Sequence, residues 1–347
     1  MTRDPCFELI LSELRRLAAQ YNSAKLSIEI RQFGKSREGR PLTVVEIGSV
    51  SEASKPAVLI ESCIHGREWI ACASALKTLV KILRGYNRKV EIRQLLATVD
   101  LQFVIVSNPD GYEFSREAPS LHHRMWRKNR SPPVCAASVA ESKYKGAGTV
   151  CCRGVDLNRN FDYSFDIETP STSDDPCSDN YRGPSPFSEP ETLGLRDLVL
   201  RNPNLQAYVA VHSLFSAIVY GGGPPPSYIP RNADRLRFVG LEMARAMATV
   251  RQSRFVVGTT SEVMGEGAVV TGVASEWASS VGVPLSYTIE LPPNPYRLRD
   301  TFSSIEKQFV KRLYEDGFLV SATDIEPASQ ELLEALKVIG RELQQPN

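Results

Sequence analysis

The run "PAVLIESCI" (56–64) and the segment "WIACASALKTLVKILRGY" (69–86), separated by "HGRE", decide how this chain folds. The first is short, apolar and rich in branched side chains, the mark of a strand buried on both faces. The second repeats its apolar residues at helical spacing and is too long for a strand. Three further runs resemble the first: "VDLQFVIVSN" (99–108), "QAYVAVHS" (206–213) and "VPLSYTIEL" (283–291). Helical patterns recur in "SEPETLGLRDLVLRN" (188–202) and "RNADRLRFVGLEMARAMATVR" (231–251), and Phe7, Ile10, Leu11, Leu14 and Leu17 mark another near the N-terminus. Ser188 and Glu191 have the spacing of a capping box. Buried strands alternating with helices predict an α/β fold around a mostly parallel or mixed sheet. No repeat or linker divides the chain, so residues 1–347 are expected to form one domain.

Composition narrows the function by exclusion. With 41 Lys and Arg against 40 Asp and Glu, the formal net charge is +1, so no global field draws in nucleic acid or an acidic membrane. "RMWRKNR" (124–130) is basic, but no nucleic-acid motif accompanies it. No apolar run reaches the roughly 18 residues of a membrane-spanning helix, and the N-terminal segment lacks the apolar core of a signal peptide. Seven cysteines cannot all pair within one chain. Cys135, Cys151, Cys152 and Cys177 lie in loop-like sequence and point to disulfides, whereas Cys63 and Cys72 read as buried thiols in apolar surroundings. The irregular stretch from about 113 to 187 is long enough to be functional.

Ligands of open α/β sheets collect beyond the carboxyl ends of the strands. His65, Asn108, His212 and Glu290 each fall at or just past the end of one apolar run. Two of the four histidines are therefore at strand ends, and Glu68 follows the first by three residues. Two His and one Glu with a position left for water make a catalytic zinc set. Zinc lowers the pKa of such a water from 15.7 toward about 7. A carboxylate is then wanted as general base, and Glu290 is the candidate. Asn158 and Arg159 in "GVDLNRNFD" (154–162) offer a fork for a carboxylate-bearing substrate.

Taken in order, "HGREWI", "NPDGY", "RMWRKNR", "GVDLNRNFD", "YVAVHS" and "SYTIEL" resemble the successive motifs of zinc metallocarboxypeptidases of the pancreatic carboxypeptidase A/B type. The resemblance runs from about residue 10 to the C-terminus. It implies a three-layer α/β/α sandwich with a twisted mixed sheet, and hydrolysis of a peptide's C-terminal bond. It places one zinc per chain on His65, Glu68 and His212, the base on Glu290 and the oxyanion-stabilising arginine on Arg127. It assigns the terminal carboxylate to Asn158 and Arg159, an outer subsite to Arg67, and further substrate contacts to Ser213, Gly223, Ser275 and Thr288. It pairs Cys152 with Cys177, with Cys135–Cys151 as an additional bridge, and so implies a secreted, extracellular monomer acting on peptide or protein C-termini.

The chain departs from the family in places. No signal peptide or prodomain like those of the family's zymogens is expected in residues 1–347, and "FSSIEKQFVKRLYED" (302–316) lengthens a normally short link. The tyrosine that caps the substrate falls on Ala268, and the aromatic after the second histidine is replaced by Leu214. Ser275, just before Glu276–Trp277, takes the floor of the specificity pocket. Being uncharged, with Val270 and Val273 narrowing the space, it leads to an expectation of neutral C-terminal residues. Two other readings share these residues: a carboxypeptidase-like binding protein with weakened catalysis, and a zinc deacylase or amidase.

Overall fold

The computed structural model describes residues 6–117, 120–136, 150–221, 230–265, 268–292 and 317–344. The opening segment folds as read: β3 (Ala57–Ser62) is buried throughout, and α2 (Trp69–Gly85) follows it after a tight turn. With β1 (Leu26–Lys35), β2 (Pro41–Ser49), β4 (Asp100–Val104), β7 (Leu205–Ser213), β8 (Ala217–Val219), β9 (Val256–Gly258) and β10 (Leu285–Leu291) it builds an eight-stranded sheet. The order is β1-β2-β4-β3-β7-β10-β8-β9. The four central strands run parallel, and the antiparallel pairs β1–β2, β2–β4 and β8–β10 make the sheet mixed.

Alternation along the strands divides the core in two, because successive side chains point to opposite faces. Val58 and Ile60 of β3, with Ala207, Val209 and Val211 of β7, pack on one face against α2, α1 (Cys6–Tyr21), α3 (Val90–Thr98), α7 (Ala233–Arg251) and α10 (Ile325–Glu342). Ala57 and Leu59, with Tyr208 and Ala210, pack on the other against α6 (Pro190–Leu200) and α9 (Ala274–Ser280). The result is the α/β/α sandwich, in which a strand buried on both faces is mostly apolar, and the buried Glu61 and Ser62 at the end of β3 are hydrogen-bonded to Ser107 and the Ile105 carbonyl.

Some elements differ from the sequence reading. The β1–β2 hairpin was not singled out, although Leu26, Ile28 and Ile30 alternate with polar residues as a half-buried strand requires. The capping box at Ser188 does not form. Glu191 is buried and accepts instead from the Arg37 N–H (3.1 Å) and Asn129 Nδ2 (3.2 Å), so tertiary partners displace the local one. Cys63 and Cys72, read as free buried thiols, are joined. Cys63 turns the chain with φ +60°, and the first turn of α2 returns beside the strand end at 5.2 Å between Cα atoms. Cys135–Cys151 bridges the small hairpin of β5 (Val134–Ala136) and β6 (Val150–Cys152), and Cys152–Cys177 ties it to the following loops, which leaves Cys6 unpaired. Residues 302–316 lie outside the described residues.

Candidate metal centre and substrate cleft

The parallel register brings strand ends together. Glu290 of β10 is level with His212 of β7, and Ser62 of β3 is level with Val211, so His65 and Glu68 emerge beside both. Close backbone packing fixes the turn that carries them. A side chain at Gly66 would meet the Gly111 carbonyl oxygen at 2.4 Å, so only glycine lets these two motif segments touch.

His65 Nδ1 lies 2.7 Å from Glu68 Oε1, and His212 Nδ1 lies 3.0 Å from Glu68 Oε2. One ligand atom from each residue falls within 4.8 Å of the others, all three residues being buried. His65 Nε2 sits 3.1 Å from Asp156 Oδ1, and Asp156 also receives Arg127 Nε at 2.9 Å. A carboxylate on the outer nitrogen orients an imidazole for metal binding. The donor set therefore fits zinc: two imidazole nitrogens facing one carboxylate between them, with a second carboxylate on the outer nitrogen of His65.

Burial disfavours a charged His212, yet the Glu68 carboxylate raises it to about 9. Burial likewise opposes ionisation of Asp156, but the Arg127 guanidinium holds it well below the usual carboxylate range. Glu290 is different. Burial lifts its carboxyl to about 7, and Oε2 has no hydrogen-bond partner among the described residues.

One cavity of about 420 Å³ gathers most of the expected residues. His65, Glu68, His212 and Glu290 line one end, with Arg127, Asn158 and Arg159 beside them. Asn158 sits on a short turn capped by Asp156, its Nδ2 3.5 Å from His212 Nε2 and its Oδ1 accepting from the Ala274 N–H. Gly272 has φ +68°, and a Cβ there would strike the Arg159 carbonyl oxygen at 2.1 Å. That contact seats the 270–276 segment directly against Arg159. Ser213, Ser275 and Thr288 also line the cavity. Arg67 does not. Its Nη1 reaches Met125 O (3.4 Å) and Asp179 (3.2 Å), and its guanidinium lies over Phe318. Gly223 lies outside the described residues. Asn108, also at a strand end, is a structural clamp that donates to the Ile64 and Lys128 carbonyls.

Sequence reasoning passed over Asp156, Phe215, Thr260 and Glu276. Asp156 carried a local signal, an acidic residue two before Asn158. Phe215 also lines the cavity, so an aromatic is present one position after the place where Leu214 stands. Ala268 lines it too, with no aromatic ring at the capping position.

The comparisons with known proteins follow this geometry. The profile of the family described as zinc carboxypeptidase matches residues 10–335. Carboxypeptidase A2 of Rattus norvegicus is 32% identical over 332 residues, covering 96% of this chain and 68% of that protein. Carboxypeptidase B of Helicoverpa zea is 35% identical over 267 residues, covering 74% of this chain and 56% of that protein. Among solved structures, bovine thrombin-activatable fibrinolysis inhibitor in complex with tick carboxypeptidase inhibitor superposes with a TM-score of 0.75 at 28% identity, covering 97% of this chain and 96% of the other. Carboxypeptidase A of Helicoverpa armigera gives 0.75 at 31% identity, covering 97% and 73%.

Proposed function

The chain belongs to the zinc carboxypeptidase family and is a metallocarboxypeptidase; from that premise we propose how its own residues divide the work. His65, Glu68 and His212 hold one zinc, which when bound polarises the scissile carbonyl and lowers the pKa of a water toward about 7. Asn158 and Arg159 hold the substrate's terminal carboxylate and so set which bond lies at the centre. Glu290 accepts a proton from the attacking water and passes it to the leaving amine nitrogen. The water oxygen bonds to the carbonyl carbon, the C–N bond breaks, and one amino acid with a free amine departs. Arg127 faces the carbonyl oxygen and stabilises the negative charge that develops there. Asp156 keeps both His65 and Arg127 in place.

The observation that carries this reading is the unpartnered Glu290 Oε2, aligned in register with His212 in the cavity that also contains Arg159. A buried carboxyl lifted toward 7 by burial is suited to receiving a proton near neutral pH. Three disulfides support an oxidising, extracellular location, and the continuous eight-stranded sheet supports one catalytic domain.

The test compares an N-blocked dipeptide with its C-terminal amide, using zinc-loaded protein. The reading expects hydrolysis of the free acid only. Equal hydrolysis of both would favour an amidase, and zinc-dependent binding without turnover would favour a binding protein.

A further inference from the structure

Arg127 lies in "WRKNRS" (126–131), a segment outside helix and strand that is buried from Arg127 to Asn129. Each of these residues is anchored to a different part of the site. The Arg127 carbonyl accepts from the Gly66 N–H of the metal-binding turn (3.0 Å), and the Lys128 carbonyl accepts from Asn108 Nδ2 (3.2 Å). The Asn129 N–H donates to the carbonyl of Val155 (3.0 Å), the residue before Asp156. The Asn129 side chain is wholly buried, and its amide is fully engaged. Its Oδ1 accepts from the Val155 N–H (2.9 Å) and the Ser131 N–H (3.2 Å), while its Nδ2 donates to Glu189 Oε2 (2.7 Å) and Glu191 Oε2 (3.2 Å).

We propose that Asn129 is a positioning residue for the reaction. It does not line the cavity; it fixes the Arg127 guanidinium against Asp156, and so against the oxygen of the scissile carbonyl. The proposal rests on the oxyanion role given to Arg127 above and adds the device that holds that arginine in place.

Few side chains could stand there. Two backbone N–H groups meet it on one side and two carboxylates on the other, so it must accept twice and donate twice. A primary amide does both with one planar group. Aspartate would set a third carboxylate against Glu189 and Glu191, and an apolar side chain would leave the Val155 N–H without its acceptor in a place kept from water. The two glutamates are themselves held from a further segment. Arg37, on the β1–β2 turn, donates Nε to Glu189 Oε2 (3.3 Å) and its backbone N–H to Glu191 Oε1 (3.1 Å). The amide thus ties the arginine segment and the Asp156 segment to α6 and the sheet turn. The two segments run in contact, since a Cβ on Gly154 would meet the Asn129 carbonyl oxygen at 2.4 Å. What the crossing aligns is one ion pair: Arg127 Nε and Nη2 each lie 2.9 Å from Asp156 Oδ2. Oxyanion donors act through being aimed before the reaction, and a displacement of about 1 Å can slow catalysis on the order of 10²-fold.

The experiment is a double-mutant cycle on zinc-saturated enzyme, using the N-blocked dipeptide that the wild type hydrolyses fastest: wild type, Asn129→Ala, Arg127→Ala and the double variant. Asn129→Ala should keep its zinc and change KM only a few-fold, while kcat falls by about 10- to 100-fold. In the Arg127→Ala background the same substitution should leave kcat almost unchanged, because the group it positions is gone. Asn129→Ser, which keeps one hydroxyl as a donor, should fall between wild type and Asn129→Ala, and it carries the cycle if the alanine variant does not fold. A wild-type kcat in Asn129→Ala overturns the proposal, as does a loss confined to KM. An equal loss of kcat in both backgrounds also overturns it, since that describes a general structural defect. Arg127→Ala separates the proposal from the reading beneath it. Undiminished kcat there removes the oxyanion role itself, whereas a slow Arg127→Ala enzyme slowed again by Asn129→Ala removes only the positioning role.

Discussion

The metal centre and the side-chain pocket share one cavity but treat their polar atoms in opposite ways. At the centre the two histidines face the two oxygens of Glu68, and Asp156 binds both His65 and Arg127. These groups are oriented before any ligand arrives. Elsewhere in the cavity lining, Ser213 Oγ, Glu276 Oε2 and Glu290 Oε2 are buried without hydrogen-bond partners among the described residues. Buried polar atoms are seldom left so, and three of them around one cavity mark where substrate and water supply what the protein does not. The difference separates residues that are positioned from residues that wait.

Breaking the metal-centre end of the cavity should have the largest effect. His65→Ala or His212→Ala should bring both zinc content and turnover to background; a variant that holds one zinc with normal turnover would remove these residues from the metal site. Glu290→Gln should retain zinc, as measured by elemental analysis, while kcat falls on the order of 10²–10⁴-fold. Near-full turnover would make Glu290 structural. Asp156→Asn tests orientation without removing a ligand. Its zinc affinity should fall by about 10–100-fold, as is typical for partners of metal-bound imidazoles, and an unchanged affinity would show that His65 needs no such support.

The side-chain pocket should respond more gently. Ser275 Oγ lies 2.8 Å from Thr288 Oγ1, and Ser275→Ala should have the smallest effect. It removes one hydroxyl–hydroxyl bond, worth about 0.5–1.5 kcal/mol of stability, and should change kcat/KM on any one dipeptide only a few-fold. A larger change would mean that the Ser275 hydroxyl itself meets the substrate.

Much of this was legible before any coordinates. Strands buried on both faces are mostly apolar, so β3, β7 and β10 stood out, and the polar residues at or just past their ends were conspicuous for that reason. His65, His212 and Glu290 were found in this way, and Glu68 by its spacing from His65. The β1–β2 hairpin was harder to see because a half-buried edge strand alternates and resembles ordinary surface sequence. Ser188 and Glu191 show the reverse error: a correct local spacing gave way when Arg37 and Asn129 offered Glu191 partners from distant parts of the chain.

The sequence by itself determined which residues could bind metal, move a proton and hold a carboxylate, because those capacities belong to side-chain chemistry and to spacing within a few residues. Tertiary structure alone decided what each residue faces. It turned Cys63 back onto Cys72, gave His65 to Asp156 and satisfied Ser275 with Thr288. It also left Glu276 Oε2 buried without a hydrogen-bond partner among the described residues. Contacts of this kind join residues far apart in the chain or depend on the direction of a turn, and local periodicity carries no information about either.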